Sequence, residues 1–269
     1  MFLIKKIRDA LADPRLEGVD VHSEQITLVH REILKEKRMI QEVFREFYDE
    51  VVRLDKKWFS NSLQGQKVEV GSGSSFFKLY YPNVITSDVK KSGLVDLQID
   101  AQNMSFQAES ISALYGINCF HHFPDPQKFF NELSRVLIRG GGCILIDPYY
   151  GPFADFFYKR VFDTETFDKN QDTWITDYDS KDSKGPNQAL SYVVFKRDYD
   201  LFIKRNPDLE IIYTSKFNNY IRYLVSGGLN FKPLLPDFLI PALRLIEFIL
   251  RPINHLFVLH HLIVIRKKA

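Results

Sequence analysis

A chain of 269 residues, 45% hydrophobic and 26% charged, holds enough apolar material for a sizeable packed core and is not composed like a disordered protein. Lysine and arginine total 36 against 34 acidic residues, so no whole-molecule field holds nucleic acid, and such a role would need a local basic patch. Two cysteines, Cys119 and Cys143, cannot build a disulfide framework, and neither has a CxxC partner for metal or redox chemistry.

The opening residues 1–11, MFLIKKIRDAL, contain an apolar run too short for a signal peptide, and Asp9 and Asp13 follow closely. The expectation is a cytoplasmic protein. From Ser23 to Leu54, apolar residues at Ile26, Val29, Ile33, Ile40, Val43, Phe47, Val51 and Leu54 keep a helical stripe. A short strand over Lys67–Val70 then runs into Gly71-Ser72-Gly73, with a helix expected over 74–80 and a break at Pro82-Asn83. Strands are predicted at 84–88, 96–100 and 110–116, the last small and apolar enough to be buried on both faces. Pro126–Leu137 reads as a helix stopped by Gly140-Gly141-Gly142, and Cys143–Ile146 as a fifth strand. Alternation of this kind implies parallel strands joined by right-handed crossovers. It is lost after Asp147, apart from a helix and strand within 193–212, until an apolar run at 257–265 offers a final strand.

In an open α/β sheet, ligands bind at the carboxyl ends of the strands, so residues just after each strand carry the weight. Glycines at 71 and 73 allow a sharp turn and a close backbone approach to a ligand. The dinucleotide pattern GxGxxG is missing, since residue 76 is Phe, and no GKS or GKT follows to make a Walker-type phosphate loop. Asp88 ends the second strand where an acid can accept hydrogen bonds from ribose hydroxyls, or simply cap a turn. Asp100 stands after the third strand, where a carboxylate can take an amino group.

Taken together, EVGSG, SDV, DAQNMSF, INCFHHFPDP and ELSRVLIRGGGCILIDP resemble the class I S-adenosylmethionine-dependent methyltransferases. The specific motifs span about residues 67–148, and looser likeness of the whole chain is to a bacterial subgroup serving polysaccharide or secondary-metabolite synthesis. The resemblance implies a doubly wound, Rossmann-like α/β fold with a mainly parallel sheet. It also implies S-adenosylmethionine held by Glu69, Gly71, Ser72 and Gly73 at the methionine part, Asp88 at the ribose, and Asp100, Ala101 and Gln102 about the adenine. Met104 is a further adenine neighbour, and Gly116 the backbone contact for the cofactor's amino group. Ser74 and Ser75 depart from the small-Gly-Phe continuation often seen in the family.

The cofactor carries an activated methyl, so the protein must mainly align an acceptor, with a base where the acceptor is a hydroxyl. His121 and His122 follow the fourth strand, one as a base and the other as packing or a cap, although the same turn serves equally as scaffold. Asp147, Tyr149 and Tyr150 follow the fifth strand; Tyr149 is an orienting candidate, and Asn187 and Tyr220 are weaker ones. No ligand spacing for a metal is recognisable. The expected organisation is a helical extension over 1–62, a cofactor half over 63–150, an aromatic cap over 151–255 and a last strand over 256–269. Residues 233–265 are apolar but interrupted by charges, and the longest charge-free run, between Arg251 and Arg266, is too short and too polar for a spanning helix; the part over 233–256 is open to two readings, a cover for the cleft or peripheral contact with the inner membrane surface. Partners are a small-molecule substrate, a sugar or lipid-linked glycan methylated on oxygen or nitrogen, and no nucleic acid. Two rival readings fit fewer of these residues. A nicotinamide-dependent reductase has only the Tyr192–Lys196 spacing in its favour, and a non-catalytic scaffold would have no use for Glu69, Gly71, Gly73 and Asp88 together.

Overall fold

The computed structural model describes residues 2–20, 23–59, 64–162, 165–176, 178 and 185–269. Three helices come first: α1 (Phe2–Leu11), α2 (Glu24–Glu36) and α3 (Arg38–Trp58). The long helical stripe is thus two helices, broken at Lys37. Its buried ammonium donates to the Gly228 carbonyl at 3.0 Å and to that of Phe231, drawing the chain out of helical register toward a distant loop.

Then follow β1 (Gln66–Val70), α4 (Phe77–Tyr80), β2 (Ile85–Asp88), β3 (Leu97–Gln98), β4 (Ile111–Ile117), α5 (Pro126–Val136) and β5 (Leu137–Pro148). The glycine run does not stop α5, which ends at Val136; Gly140, Gly141 and Gly142 lie inside β5. A side chain at Gly142 would strike the Phe59 ring at 2.2 Å, so helix-to-strand packing requires this glycine.

The rest comprises α6 (Pro152–Arg160), α7 (Leu190–Tyr192) leading through a π-turn at Val193–Arg197 into α8 (Tyr199–Arg205), β6 (Leu209–Lys216), α9 (Tyr220–Val225), α10 (Ile240–Ile249), α11 (Asn254–Phe257) and β7 (His260–Lys267). Strand β6 falls within the 151–255 stretch expected to be a cap, so that stretch is not one insertion. The 62/63 boundary lies outside the described residues.

The seven strands form one sheet in the order β3-β2-β1-β4-β5-β7-β6, parallel except for β7, which runs antiparallel to both neighbours. Side chains alternate between two cores, as strand geometry demands. Leu114, Cys143, Leu145, Ile263 and Ile265 face α5 and the α7–α8 segment. Ala113, Tyr115, Ile144, Leu262 and Val264 face Val43, Phe47, Val51 and Leu54 of α3. With helices on both faces, the carboxyl ends of β1, β2 and β4 meet along one edge, where strand order reverses between β1 and β4.

Candidate active site

β1 delivers Glu69 and Val70 into a turn in which Gly71 and Gly73 both adopt positive φ, 63° and 47°. A β-carbon at Gly71 would lie 2.4 Å from that of Cys119, so conformation and crowding both demand glycine. Ser72 is buried; its hydroxyl donates to the Glu69 carbonyl at 3.3 Å and accepts from the Ser87 amide, tying the turn to β2. Asp88 reaches across so that Oδ2 accepts the Gly73 amide at 2.9 Å, while Oδ1 accepts that of Lys90 at 2.8 Å. The N-terminal helices hold the far side of the turn. Arg31 donates to the carbonyls of Ser74 and Ser75 and lies 3.7 Å over the Phe76 ring, and the Tyr48 hydroxyl accepts the Phe76 amide at 3.1 Å.

Glu69 is buried. One carboxylate oxygen accepts from Ser75 at 3.0 Å, and Oε2 has no partner among the described residues. Desolvation pushes its pKa up to about 7, against the Ser72 and Ser75 hydrogen bonds that pull it down. Past β3, the exposed Asp100 accepts the Gln102 amide at 2.8 Å, and Gln102 Oε1 in turn accepts the amide of Asp125, the residue that caps α5. Ala101 and Met104 are buried beside them. Gly116 lies inside β4, where a side chain would meet Cys119 Sγ at 2.8 Å and Leu145 at 3.0 Å.

The loop leaving β4 is shared by two sites. Cys119 closes against the Gly71 turn, and its neighbours Asn118, His121 and His122 line a cavity of about 670 Å³. Most of that wall is apolar, from Phe44, Phe157, Tyr158, Phe162, Leu229 and Phe231. The polar end holds Asn118, His121, His122, Glu165, Gln188 and His260. Asn118 has φ 52°, a conformation asparagine tolerates better than most residues, and its buried Oδ1 is unpartnered among the described residues.

His121 is buried, with Nδ1 2.8 Å from Oδ1 of the fully buried Asp147 and Nε2 3.6 Å from Glu165. Burial by itself would lower the His121 pKa. The Asp147 charge and hydrogen bond, reinforced by Glu165, overcome it and raise the pKa to about 10. Desolvation raises Asp147. His122 lies against His121 with ring centroids 4.3 Å apart and the planes tilted by 40°, and desolvation and the His121 charge push its pKa down. Glu165 is held below the usual carboxylate range: burial opposes this, but the two histidines outweigh it, and Gln188 donates to its Oε2 at 2.7 Å. The ligand atoms of His121, His122 and Glu165 lie within 4.8 Å of one another, close enough for a divalent cation to bridge.

The structure therefore joins His121 to Asp147, both picked out in the sequence, and adds Glu165, Asn118 and His260, which were missed. Glu165 comes from the cap, about 40 residues beyond the histidines, with no motif to mark it. Asn118 stands directly after a strand expected to end in the site, and that position was its only signal. Tyr149 does not belong. It packs between Tyr150 (4.4 Å) and His261 (5.5 Å), beneath Lys216, and does not line the cavity. Asn187 is spent holding the cap loop, accepting the Asp168 and Ala189 amides at 3.0 Å, and Tyr220 stacks on Phe257; neither lines the cavity. Tyr192 packs on Tyr150 and Lys196 is exposed, which removes the reductase pair.

Residues 68–145 match the family described as a methyltransferase domain. No curated protein matches the chain in sequence. Solved structures with a similar fold include geranyl diphosphate C-methyltransferase from Streptomyces coelicolor, 12% identical, with a TM-score of 0.49 over 96% of this chain and 89% of that one. The YcgJ protein of Bacillus subtilis is 14% identical, with a TM-score of 0.45 over 81% and 97%. Phosphoethanolamine N-methyltransferase 2 of Haemonchus contortus is 13% identical, with a TM-score of 0.44 over 82% of this chain, which spans only 53% of that protein. With the sheet order and the glycine turn in place, the match marks residues 68–145 as a methyltransferase domain on a doubly wound sheet. The turn suits S-adenosylmethionine: the unpartnered Glu69 oxygen is an acceptor for a cationic or amino group, and both glycines leave open backbone.

Proposed function

We propose that the protein methylates an oxygen or nitrogen of a small amphipathic molecule, such as a sugar derivative or lipid-linked glycan, whose polar end meets His121 and whose apolar portion fills the aromatic cavity. The observation that supports this reading most is the shared β4 loop, which packs on the Gly71 turn through Cys119 and presents His121 to the cavity. Glu69, Gly71, Ser72 and Gly73 would hold the methionine end of S-adenosylmethionine, Asp88 the ribose, and Asp100, Ala101 and Gln102 the adenine; bound there, the cofactor supplies an activated methyl. Gly116 serves by making room for Cys119 and Leu145.

Asp147 accepts from His121 Nδ1 and so fixes the tautomer that leaves Nε2 toward the cavity. In its neutral form His121 takes the acceptor's proton at Nε2, and Asn118 and Glu165 orient the acceptor's polar group. The aromatic wall excludes water. Because lipid-linked acceptors reside in membranes, peripheral contact through 233–256 belongs to the same reading; among the described residues no helix is long and apolar enough to cross a membrane.

The test is transfer of labelled methyl to alkyl glucosides of increasing chain length. The rate should rise with chain length, and with pH toward the His121 pKa. Asp147→Asn removes the charge that favours the imidazolium, so the rising limb should move to lower pH while the rate falls by roughly a hundredfold or more. Rates indifferent to chain length would contradict the amphipathic acceptor, and an unmoved pH profile would contradict His121 as the base.

A further inference from the structure

Neighbouring residues on a turn ordinarily aim apart. In the short turn Phe120–His122, however, the imidazoles of His121 and His122 reach one carboxylate. Glu165, on the loop between α6 and α7, lies 3.6 Å from Nε2 of His121 and 3.9 Å from Nε2 of His122, and one donor atom from each of the three falls within 4.8 Å of the others. Donors held by a tetrahedral ion at roughly 2.0–2.2 Å stand about 3.4 Å apart, so both carboxylate contacts are already within about half an ångström of that spacing. Rotation of His122, whose side chain is 48% exposed, can supply the rest.

The surroundings are those that hold metal ligands in place. Asp147 takes the Nδ1 proton of His121 at 2.8 Å and so leaves Nε2 as the free nitrogen, and Gln188 donates to Glu165 Oε2 at 2.7 Å. This end of the cavity is also short of positive charge. Among the described residues the ion pairs of Asp147 and Glu165 are with histidines alone. Asp147 Oδ2, Asn118 Oδ1 and Gln188 Oε1 are buried and unpartnered among the described residues, and all three are acceptors. Gln188, only 3% exposed, lines the cavity beside Asn118. Two carboxylates set about one buried imidazole lose solvation that a cation must replace. One imidazolium offsets a single charge, whereas a dication offsets both.

We infer that Nε2 of His121, Nε2 of His122 and Glu165 bind a divalent transition-metal ion such as Zn2+, with its remaining positions open to the cavity. Two imidazoles select such an ion over Mg2+ and Ca2+, which take oxygen ligands. The half-exposed His122 gives the ion access from solvent. In the metal-free protein Nε2 of His121 is the base, but its one lone pair cannot serve a proton and an ion together. The ion also takes Glu165 from the acceptor's polar group. A bound ion therefore inhibits methyl transfer. That consequence rests on the acceptor reading above, whereas binding of the ion needs neither acceptor nor cofactor.

The experiment is calorimetric titration of chelator-treated protein with Zn2+ and, separately, with Mg2+, in the absence of S-adenosylmethionine. The wild type should take up one Zn2+ per chain and bind Mg2+ about a hundredfold more weakly or not at all. His122→Ala and Glu165→Gln should each weaken Zn2+ binding by about tenfold or more. Zn2+ should also raise the thermal midpoint of the wild type and not that of His122→Ala, and equal midpoints of the two metal-free proteins would show that the variant folds. No saturable Zn2+ binding by the wild type, or a folded His122→Ala that binds as tightly, would overturn the proposal. Zn2+ binding that leaves methyl transfer to alkyl glucosides unslowed would keep the site and refute His121 as the base. Transfer that depends on chain length, by a protein that binds no Zn2+, would refute the site alone.

Discussion

Glu69 is a carboxylate placed where it resists ionising, with one oxygen satisfied by Ser75 and the other unpartnered. Its folded pKa, raised to about 7, lies above that of an unfolded glutamate, so ionising it costs folding stability as pH rises from about 4.5 to 7. A bound cation or amino group favours the ionised form. Cofactor affinity should therefore increase as pH rises to about 7 and level off above it, while Glu69→Gln should bind weakly and without that dependence. Calorimetric titration at several pH values reads both, and a wild-type affinity flat from pH 5.5 to 8 (roughly the span over which such a group titrates) would contradict it. The motif residues could be singled out one at a time because each lies at or near the carboxyl end of a strand. Glu165 was not, because a fold brings it to His121 across a segment with no periodicity. Tyr149 shows the related limit that following a strand does not decide which way a side chain turns: here it turns into the packing around His261 and away from the cavity.

At the scale of elements, the strands β1, β2 and β4 and the helix α5 were readable within a few residues because apolar runs and turn signals mark them, while β5 was read only over its second half because its glycines look like a stop. Lys37 broke a stripe that looked continuous, since a buried ammonium seeking distant carbonyls leaves no trace in hydrophobic periodicity. A strand is expected within 193–212, but the extent of β6 to Lys216 was not legible, because its edge position leaves most of its residues only partly buried. The contact of α3, α9 and α10 depends on Arg222, which bridges Glu247 and Glu46 with bonds of 2.7 to 3.0 Å. Removing one member of a buried pair leaves the other uncompensated, so Arg222→Met should destabilise by about 3–5 kcal/mol. Replacing both Arg222 and Glu247 by apolar residues should recover much of that loss. Urea denaturation of the three proteins measures it; a single variant within about 0.5 kcal/mol of wild type would show the pair to be unimportant.

For the molecule as a whole, His260 and His261 are buried in the antiparallel strand β7, and burial depresses both to about 3. The unfolded chain takes up protons near pH 6.5 that the native state refuses, so these residues cost stability progressively as pH falls from about 6.5 to 3. His121 acts in the opposite sense: its raised pKa contributes stability fully below about 6.5 and loses it as pH climbs toward 10. With His122, His260 and His261 depressed against the raised His121 and Glu69, the thermal midpoint should fall between pH 7 and 5, and His261→Gln should flatten the fall. A wild-type midpoint that holds or rises over that interval would contradict the burial argument. The doubly wound architecture was legible in advance from the alternation of β1 to β5 and from the family motifs. The position of β7 between β5 and β6 was not, since pairing partners are not written in a strand's own sequence.

The central claim is that the turn from Glu69 to Gly73, closed by Asp88, holds S-adenosylmethionine, and calorimetric titration of wild type and Asp88→Ala tests it most directly. Asp88 positions the Gly73 amide, and on the proposed reading its remaining lone pairs would take the ribose hydroxyls. Losing charged hydrogen bonds of about 1.5–3 kcal/mol should weaken binding by roughly ten- to a hundredfold. Binding of both S-adenosylmethionine and S-adenosylhomocysteine by the wild type, weakened to that degree by the substitution, is the predicted result. A folded wild-type protein that binds neither, or a variant that binds as tightly as wild type, would contradict it.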